Sequence, residues 1–189
     1  MLKDELEAYV PYNEQEEKDR EEILRRLNSG EELYTRGNRS AHLTASGWVV
    51  SKDRKKILMC YHNLYDSWSW LGGHADGDKD LLETALREVK EESGIRTVVP
   101  LSTEIFSVEI LTVDGHVKKG EYVSSHLHLN VTYLLEADET EELTAKADEN
   151  KGVKWFEMDE AVRASNEPWF REHIYSKLNR KLKEYLWKI

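Results

Sequence analysis

The sequence predicts an α+β fold, one domain with a helical segment in front and a helix behind. Two segments, 80–93 and 169–187, carry apolar residues at helical spacing, while shorter runs of bulky apolar residues read as strands. Strands and helices alternate irregularly, unlike the strict alternation of a doubly wound parallel sheet. The 189 residues are 39% hydrophobic, with six Trp and nine Tyr, enough for a core and too few for two large domains. We divide the chain into an N-terminal helical extension, residues 1–34, and a main domain, residues 35–189, that includes the C-terminal helix.

The elements follow in order. Asn13 stands three residues before Glu16, a capping start, and Ile23, Leu24 and Leu27 recur at helical spacing until Asn28-Ser29-Gly30, so residues 14–28 form a helix with a charged outer face. Leu43–Val50 and Lys56–His62 read as strands joined by the polar turn Ser51-Lys52-Asp53-Arg54, a hairpin. Trp68-Ser69-Trp70-Leu71 is an aromatic patch leading into glycines. Residues 80–93 form the clearest helix: Leu81, Leu82, Ala85, Leu86 and Val89 make its apolar stripe, Asp80 with Glu83 its start and Gly94 its stop. Ile105–Val113 and Glu121–Glu136 read as a hairpin turning at Asp114-Gly115. Val153–Phe156 is a further strand, and helices cover 158–164 and 169–187. The last carries Trp169, Phe170, Ile174, Leu178, Leu182 and Leu186, a stripe for packing or for a dimer contact. No internal repeat and no Pro-rich or Gly-rich linker interrupts the chain.

Net charge is −10, which argues against a duplex nucleic acid partner, since such binders need a basic face. Anionic small molecules stay open, because a bound metal ion reverses the local sign. The single cysteine, Cys60, excludes an internal disulfide and sits in the apolar run Ile57–Tyr61 as a small buried hydrophobe. MLKDELEAYV lacks the basic and apolar regions of a signal peptide, and no stretch reaches membrane-span length. The expectation is a cytoplasmic protein with no membrane partner, so the triplets Asn38-Arg39-Ser40 and Asn130-Val131-Thr132 carry no glycosylation argument.

The chemistry concentrates between Gly72 and Ile95, GGHADGDKDLLETALREVKEESGI. Alternating Asp76, Asp78 and Asp80 suggest a calcium-binding EF-hand loop, but Leu81 stands where its glycine belongs and Arg87 where its closing glutamate belongs, so that reading fails. On the following helix Glu88 and Glu92 are four apart, and Glu91 lies one turn from Glu88, so the three carboxylates share an edge. Carboxylates so close repel one another and have raised pKa values unless a cation joins them, and an all-oxygen donor set suits Mg²⁺, with Mn²⁺ also possible. The competing reading is an ordinary solvated face, with Glu83, Arg87 and Glu91 as a chain of surface pairs.

The glycine placed upstream at a set distance decides between them. Gly73, Arg87, Glu88, Val89, Glu91, Glu92, Gly94 and Ile95 stand in the register of G-x5-E-x7-R-E-U-x-E-E-x-G-U, where U is bulky and apolar. The segment resembles the Nudix box at eight of nine defined positions; the departure is Lys79, where the box has its first glutamate. The layout around it, strands before and a Trp155-Phe156 strand after, resembles Nudix domains over residues 35–165. The resemblance implies a Nudix fold, an α/β/α sandwich around a mixed sheet. It also implies a hydrolase that cleaves a nucleoside diphosphate linked to another group, with a dimer common among such proteins. Carried over by position, Glu88, Glu91 and Glu92 would hold divalent ions and Arg87 would orient a box glutamate. Gly72 and Gly73 would let the backbone approach phosphate and metal. The general base would be Glu92 itself or a carboxylate in a loop before a late strand, where Glu149 stands; Glu121 is a weaker candidate, and Glu149 reads equally as a solvated loop residue. Asp78 and Asp80 flank Lys79 and would replace its missing carboxylate.

Other residues stay divided between site and scaffold. Alternation places Trp68 and Trp70 on one face, for core packing or for stacking on a base. His74, in the loop after the glycines, is the better substrate contact than His42. His126 and His128 alternate toward a common partner, but no third ligand lies at suitable spacing, so zinc is left out. Lys118 and Lys119 would meet phosphates from a hairpin or be solvated. An isomerase acting on isopentenyl diphosphate shares the fold, but that chemistry places a cysteine in the site, whereas Cys60 lies in an apolar strand beside a nearly complete box. A non-catalytic ligand-binding protein is the third possibility, resting on Lys79 alone.

Overall fold

A computed structural model describes residues 1–118 and 120–187; Lys119, one of the two hairpin lysines, lies outside the described residues. The elements run α1 (Leu2–Ala8), α2 (Glu14–Asn28), β1 (Ala41–Ser51), β2 (Lys56–His62), β3 (Ser67–Ser69), β4 (Leu71–His74), α3 (Leu81–Ser93), β5 (Val98–Pro100), β6 (Ser107–Val113), β7 (His116–Lys118), β8 (Glu121–Val123), β9 (His126–Ala137), β10 (Asn150–Glu157), α4 (Met158–Ala164), a π-helical stretch (Phe170–Tyr175) and α5 (Ser176–Trp187). Eight strands share one sheet of order β10-β2-β1-β9-β5, with β3 beside β2, β4 beside β1 and β6 beside β9. This is the α+β organisation expected. No described helix is long and apolar enough to cross a membrane.

The chain forms two compact units, residues 1–46, 73–85 and 103–133 in one and 47–72, 86–102 and 134–187 in the other. In the first, Asn13 caps α2 as expected, its Oδ1 accepting from Glu16 N at 3.0 Å. The Glu16 carboxylate is buried and turned inward. It accepts from the Tyr9 hydroxyl (2.5 Å), Tyr12 N (2.7 Å) and the Ser107 hydroxyl (2.7 Å). These bonds tie α2 to β6, so the extension is built into this unit. Leu2 and Leu6 seat α1, which at seven residues is too short to hold its helix alone.

The hairpin expected at Asp114-Gly115 is longer than the sequence suggests. β6 and β9 pair antiparallel from Ser107↔Thr132 to Val113↔His126, and a second small hairpin, β7 with β8, extends beyond them. The chain reverses near Gly120, at φ 85°. Gly115 serves close approach instead: a Cβ there would stand 2.2 Å from the Tyr122 hydroxyl oxygen, and its N–H donates to Ser125 Oγ at 2.9 Å.

In the second unit, β2 pairs with β1 (Val50↔Ile57), with β10 (Trp155↔Leu58) and with β3 (Tyr61↔Trp68), all antiparallel. The expected β1–β2 turn forms with Arg54 at φ 64°. Trp48 is fully buried and stacks on Tyr175 at 5.6 Å. The C-terminal segment is helical without a break over 168–187, as expected, but its first part, Phe170–Tyr175, is wound as a π-helix. The Ser176 hydroxyl reaches the Arg171 carbonyl at 2.6 Å, and the wider π turn buries adjacent Ile174 and Tyr175 together. Leu178 and Leu182 continue the buried stripe, while Trp169 stays exposed.

Candidate active site

β4 delivers the glycines, and a tight turn, with Asp76 at φ 48° and Gly77 at φ 98°, leads to α3. Asp80 caps that helix, accepting from Glu83 N at 3.1 Å, and Asp78 Oδ1 accepts from Asp80 N at 3.0 Å. Both aspartates expected to replace the missing box carboxylate thus serve the turn and the cap. Lys79 places its ammonium 3.6 Å from the centre of the Tyr34 ring, a cation–π contact within the first unit. Gly94, at φ 74°, ends α3 as expected.

The second half of α3 carries the box carboxylates. Glu92 is 4% exposed. Its Oε2 accepts from Gly72 N at 2.9 Å, and its Oε1 from Asn150 Nδ2 at 3.1 Å. Burial pushes this carboxyl up to about 7, the charges of Glu88 and Glu149 add to the rise, and the two donors oppose it. Glu88 is also raised, mainly by burial, against the pull of Arg87. Arg87 Nη1 lies 2.6 Å from Glu88 Oε1 and 3.4 Å from Glu91 Oε1, within reach of both box glutamates.

A turn at residues 146–150 supplies the rest. Lys146 Nζ stands 2.9 Å from Glu149 Oε2 and 3.5 Å from Glu91 Oε2. Glu149 is 38% exposed, and its backbone carbonyl accepts from Asn63 N at 2.9 Å. The structure therefore brings Glu88, Glu91, Glu92, Glu149 and Arg87 into one linked group within the second unit. Four carboxylates here meet two cationic side chains, so each acid is turned toward Arg87, Lys146 or a hydrogen-bond donor. Glu92 is buried and Glu88 nearly so, while Glu91 and Glu149 are 43% and 38% exposed, and no three of these carboxylates come within 4.8 Å of one another. Their chemistry, oxygen donors only, is the kind that suits a hard divalent cation.

Sequence reasoning passed over Lys146 and Asn150. Each lies more than fifty residues beyond the box, and an asparagine or lysine in a polar turn carries no signal of its own. Gly72, expected at the substrate, gives its N–H to Glu92. Trp70, also expected there, is buried edge-on to Phe170 (6.3 Å) and Tyr175 (5.7 Å). Trp68 joins a different aromatic group, Tyr61 and Phe156, because β3 ends at Ser69 and breaks the alternation that predicted a shared face. The Cys60 thiol is buried and raised well above its usual value, chiefly by burial, and its Sγ lies 3.6 Å from the Trp70 carbonyl. A nucleophile needs the opposite environment.

His74 belongs to the first unit, where it meets His42, His126 and His128. Ring centroids stand 5.1 Å apart for His42–His74, 5.1 Å for His42–His128 and 4.9 Å for both His74–His128 and His42–His126. The third ligand that spacing around His126 and His128 failed to offer comes from β1 and β4 instead, so the reason for leaving a nitrogen-ligated metal out does not hold.

A family model for the NUDIX domain matches residues 41–178. An RNA pyrophosphohydrolase of Pelagibacter ubique (strain HTCC1062) is 25% identical over 142 residues, 73% of this chain and 89% of that protein. Among solved structures, a C. elegans Ap4A hydrolase binary complex superposes with a TM-score of 0.54 at 19% identity, covering 78% of this chain and 98% of that one. E. coli dihydroneopterin triphosphate pyrophosphohydrolase gives 0.53 at 15% identity, covering 84% and 100%. At these identities the two structures establish the fold, a mixed sheet with flanking helices. Since the family match runs from the start of β1 into α5 and encloses the whole box, this chain belongs to the NUDIX domain family, the Nudix hydrolases.

Proposed function

We propose that the protein hydrolyses a phosphoanhydride bond in a nucleotide or nucleotide derivative, with Mg²⁺ or Mn²⁺ held by Glu88, Glu91 and Glu92. The observation that carries this reading is the placement of Glu92: a carboxyl buried between the Gly72 N–H and the Asn150 amide, beside two further box carboxylates. When bound, a divalent ion neutralises phosphate oxygens and lowers the pKa of a coordinated water. Glu92 is the proton acceptor, since Gly72 and Asn150 hold its two oxygens in place on a buried carboxyl. Glu149, paired to Lys146 and partly in solvent, is the alternative acceptor. Arg87 keeps Glu88 and Glu91 turned toward each other. The relatives named for RNA, Ap4A and dihydroneopterin triphosphate support a substrate containing a phosphate chain.

The test is release of phosphate or pyrophosphate from a panel of nucleotides, dinucleotides and nucleotide sugars, with and without Mg²⁺. Glu92→Gln should lower kcat by at least about a hundredfold, the scale of a lost general base, and Glu149→Gln by much less. The reverse order would hand the role to Glu149. Binding without turnover across the panel would favour a ligand-binding protein.

A further inference from the structure

The histidines of the first unit form a group that box chemistry does not use. His42 is the second residue of β1, His74 closes β4, and His126 and His128 open β9 on one face of that strand. One ring nitrogen from each of His42, His74 and His128 lies within 4.8 Å of the other two. Among the described residues no other set of three His, Cys, Asp or Glu meets that criterion.

The hydrogen bonds around His42 leave one of its ring nitrogens without a partner. His42 Nδ1 sits 3.0 Å from the Asn38 carbonyl, which only accepts, so Nδ1 carries the proton. Its Nε2 is then a bare acceptor, buried without a hydrogen-bond partner in a residue 4% exposed. A buried polar atom left so costs on the order of 1–3 kcal/mol. His126 Nδ1 likewise faces a backbone carbonyl, that of Ser124 at 2.8 Å, while its Nε2 meets His128 Nε2 at 3.3 Å. His42, anchored through one N–H to a backbone carbonyl with the other nitrogen free, has the usual posture of a metal ligand. Two nitrogens each about 2.05 Å from a tetrahedral zinc stand about 3.3 Å apart.

Protons are poor occupants of this space. Burial above all drives His74 down to about 3 and His128 to about 2, and the other imidazoles repel added charge. Arg36 and Lys118 push the same way, though Arg36 is neutralised by its two-pronged pair with Asp76, at 2.7 Å for each contact. At His42, His74 and His128 burial favours the neutral ring, the form in which imidazole binds metal.

We propose that His42, His74 and His128 form a transition-metal site that takes zinc or another divalent ion of similar softness, with His126 against His128 at its edge. An all-nitrogen set discriminates against Mg²⁺, whereas the box carboxylates suit it. The site is built from residues other than the box glutamates, so its standing does not depend on the proposed hydrolysis.

The test uses the whole 189-residue chain, stripped with a chelator and passed through gel filtration after incubation with Zn²⁺ in the presence of excess Mg²⁺. One equivalent of zinc should stay with the wild type and with Glu92→Gln, and should be lost from His74→Ala and His128→Ala. Co²⁺ added to the stripped wild type should give the intense visible bands of a tetrahedral site, and X-ray absorption should show a nitrogen first shell. This spectroscopic arm does not require any variant to fold. Zinc lost from Glu92→Gln but kept by both histidine variants would overturn the proposal, as would an oxygen-only shell. It is likewise overturned if the wild type retains no zinc, or if inorganic phosphate rather than zinc is the species whose binding the histidine variants lose.

Discussion

Glu92 combines deep burial with an ionisable carboxyl, and the conflict is measurable. Its carboxyl is raised from 4.5 to about 7. Between those values the folded protein holds a proton that the unfolded chain has released, so stability falls as pH rises from about 4.5 to about 7 and stays low above. The shift corresponds to about 3 kcal/mol. Glu92→Gln should therefore raise the Tm of the metal-free protein at pH 8 and change it little at pH 4, followed by thermal unfolding in chelator. An equal effect at both pH values would remove burial as the cause. Asn150 acts on the same carboxyl from the other side. Asn150→Ala withdraws a donor from the ionised form, so the acidic limb of the rate profile should move to higher pH, with about 1–3 kcal/mol lost in urea unfolding.

At the scale of elements, caps and close approaches carry the argument. Asn13→Ala removes the side-chain acceptor at the start of α2 and should cost about 1 kcal/mol in urea unfolding. Every residue of β1 is buried, as in a strand covered on both faces. Gly47 lies in its middle, where a Cβ would come within 2.8 Å of Leu135 Cδ1 and Val89 Cγ2. Gly47→Ala should therefore cost about 1–3 kcal/mol by overpacking, and no loss would show that β1 and its neighbours give way easily.

For the whole molecule, a net charge of −10 opposes an anionic ligand, and a bound divalent cation would reverse the local sign. Mg²⁺ at a hundredfold excess over its Kd should stabilise the wild type by about 2.7 kcal/mol. The corresponding Tm increase should be smaller in Glu92→Gln, as seen by scanning calorimetry. An equal increase in both proteins would place the ion away from that carboxylate.

Helix α2 at Glu14–Asn28, strand β2 at Lys56–His62, helix α4 at Met158–Ala164 and the capped, Gly-stopped α3 were legible because spacing along a chain dictates which side chains share a face. The box glutamates are close in sequence, so one helix is enough to align them. Short elements held by long-range pairing left no such trace: α1, β5 and the β7–β8 hairpin have too few residues for a period to show. Tertiary structure alone decided that Asn150 and Lys146 return to the box carboxylates, and that His42 and His74 meet His126 and His128. Those partners come from separate strands and a distant turn, and only strand pairing, which no local pattern encodes, carries them together.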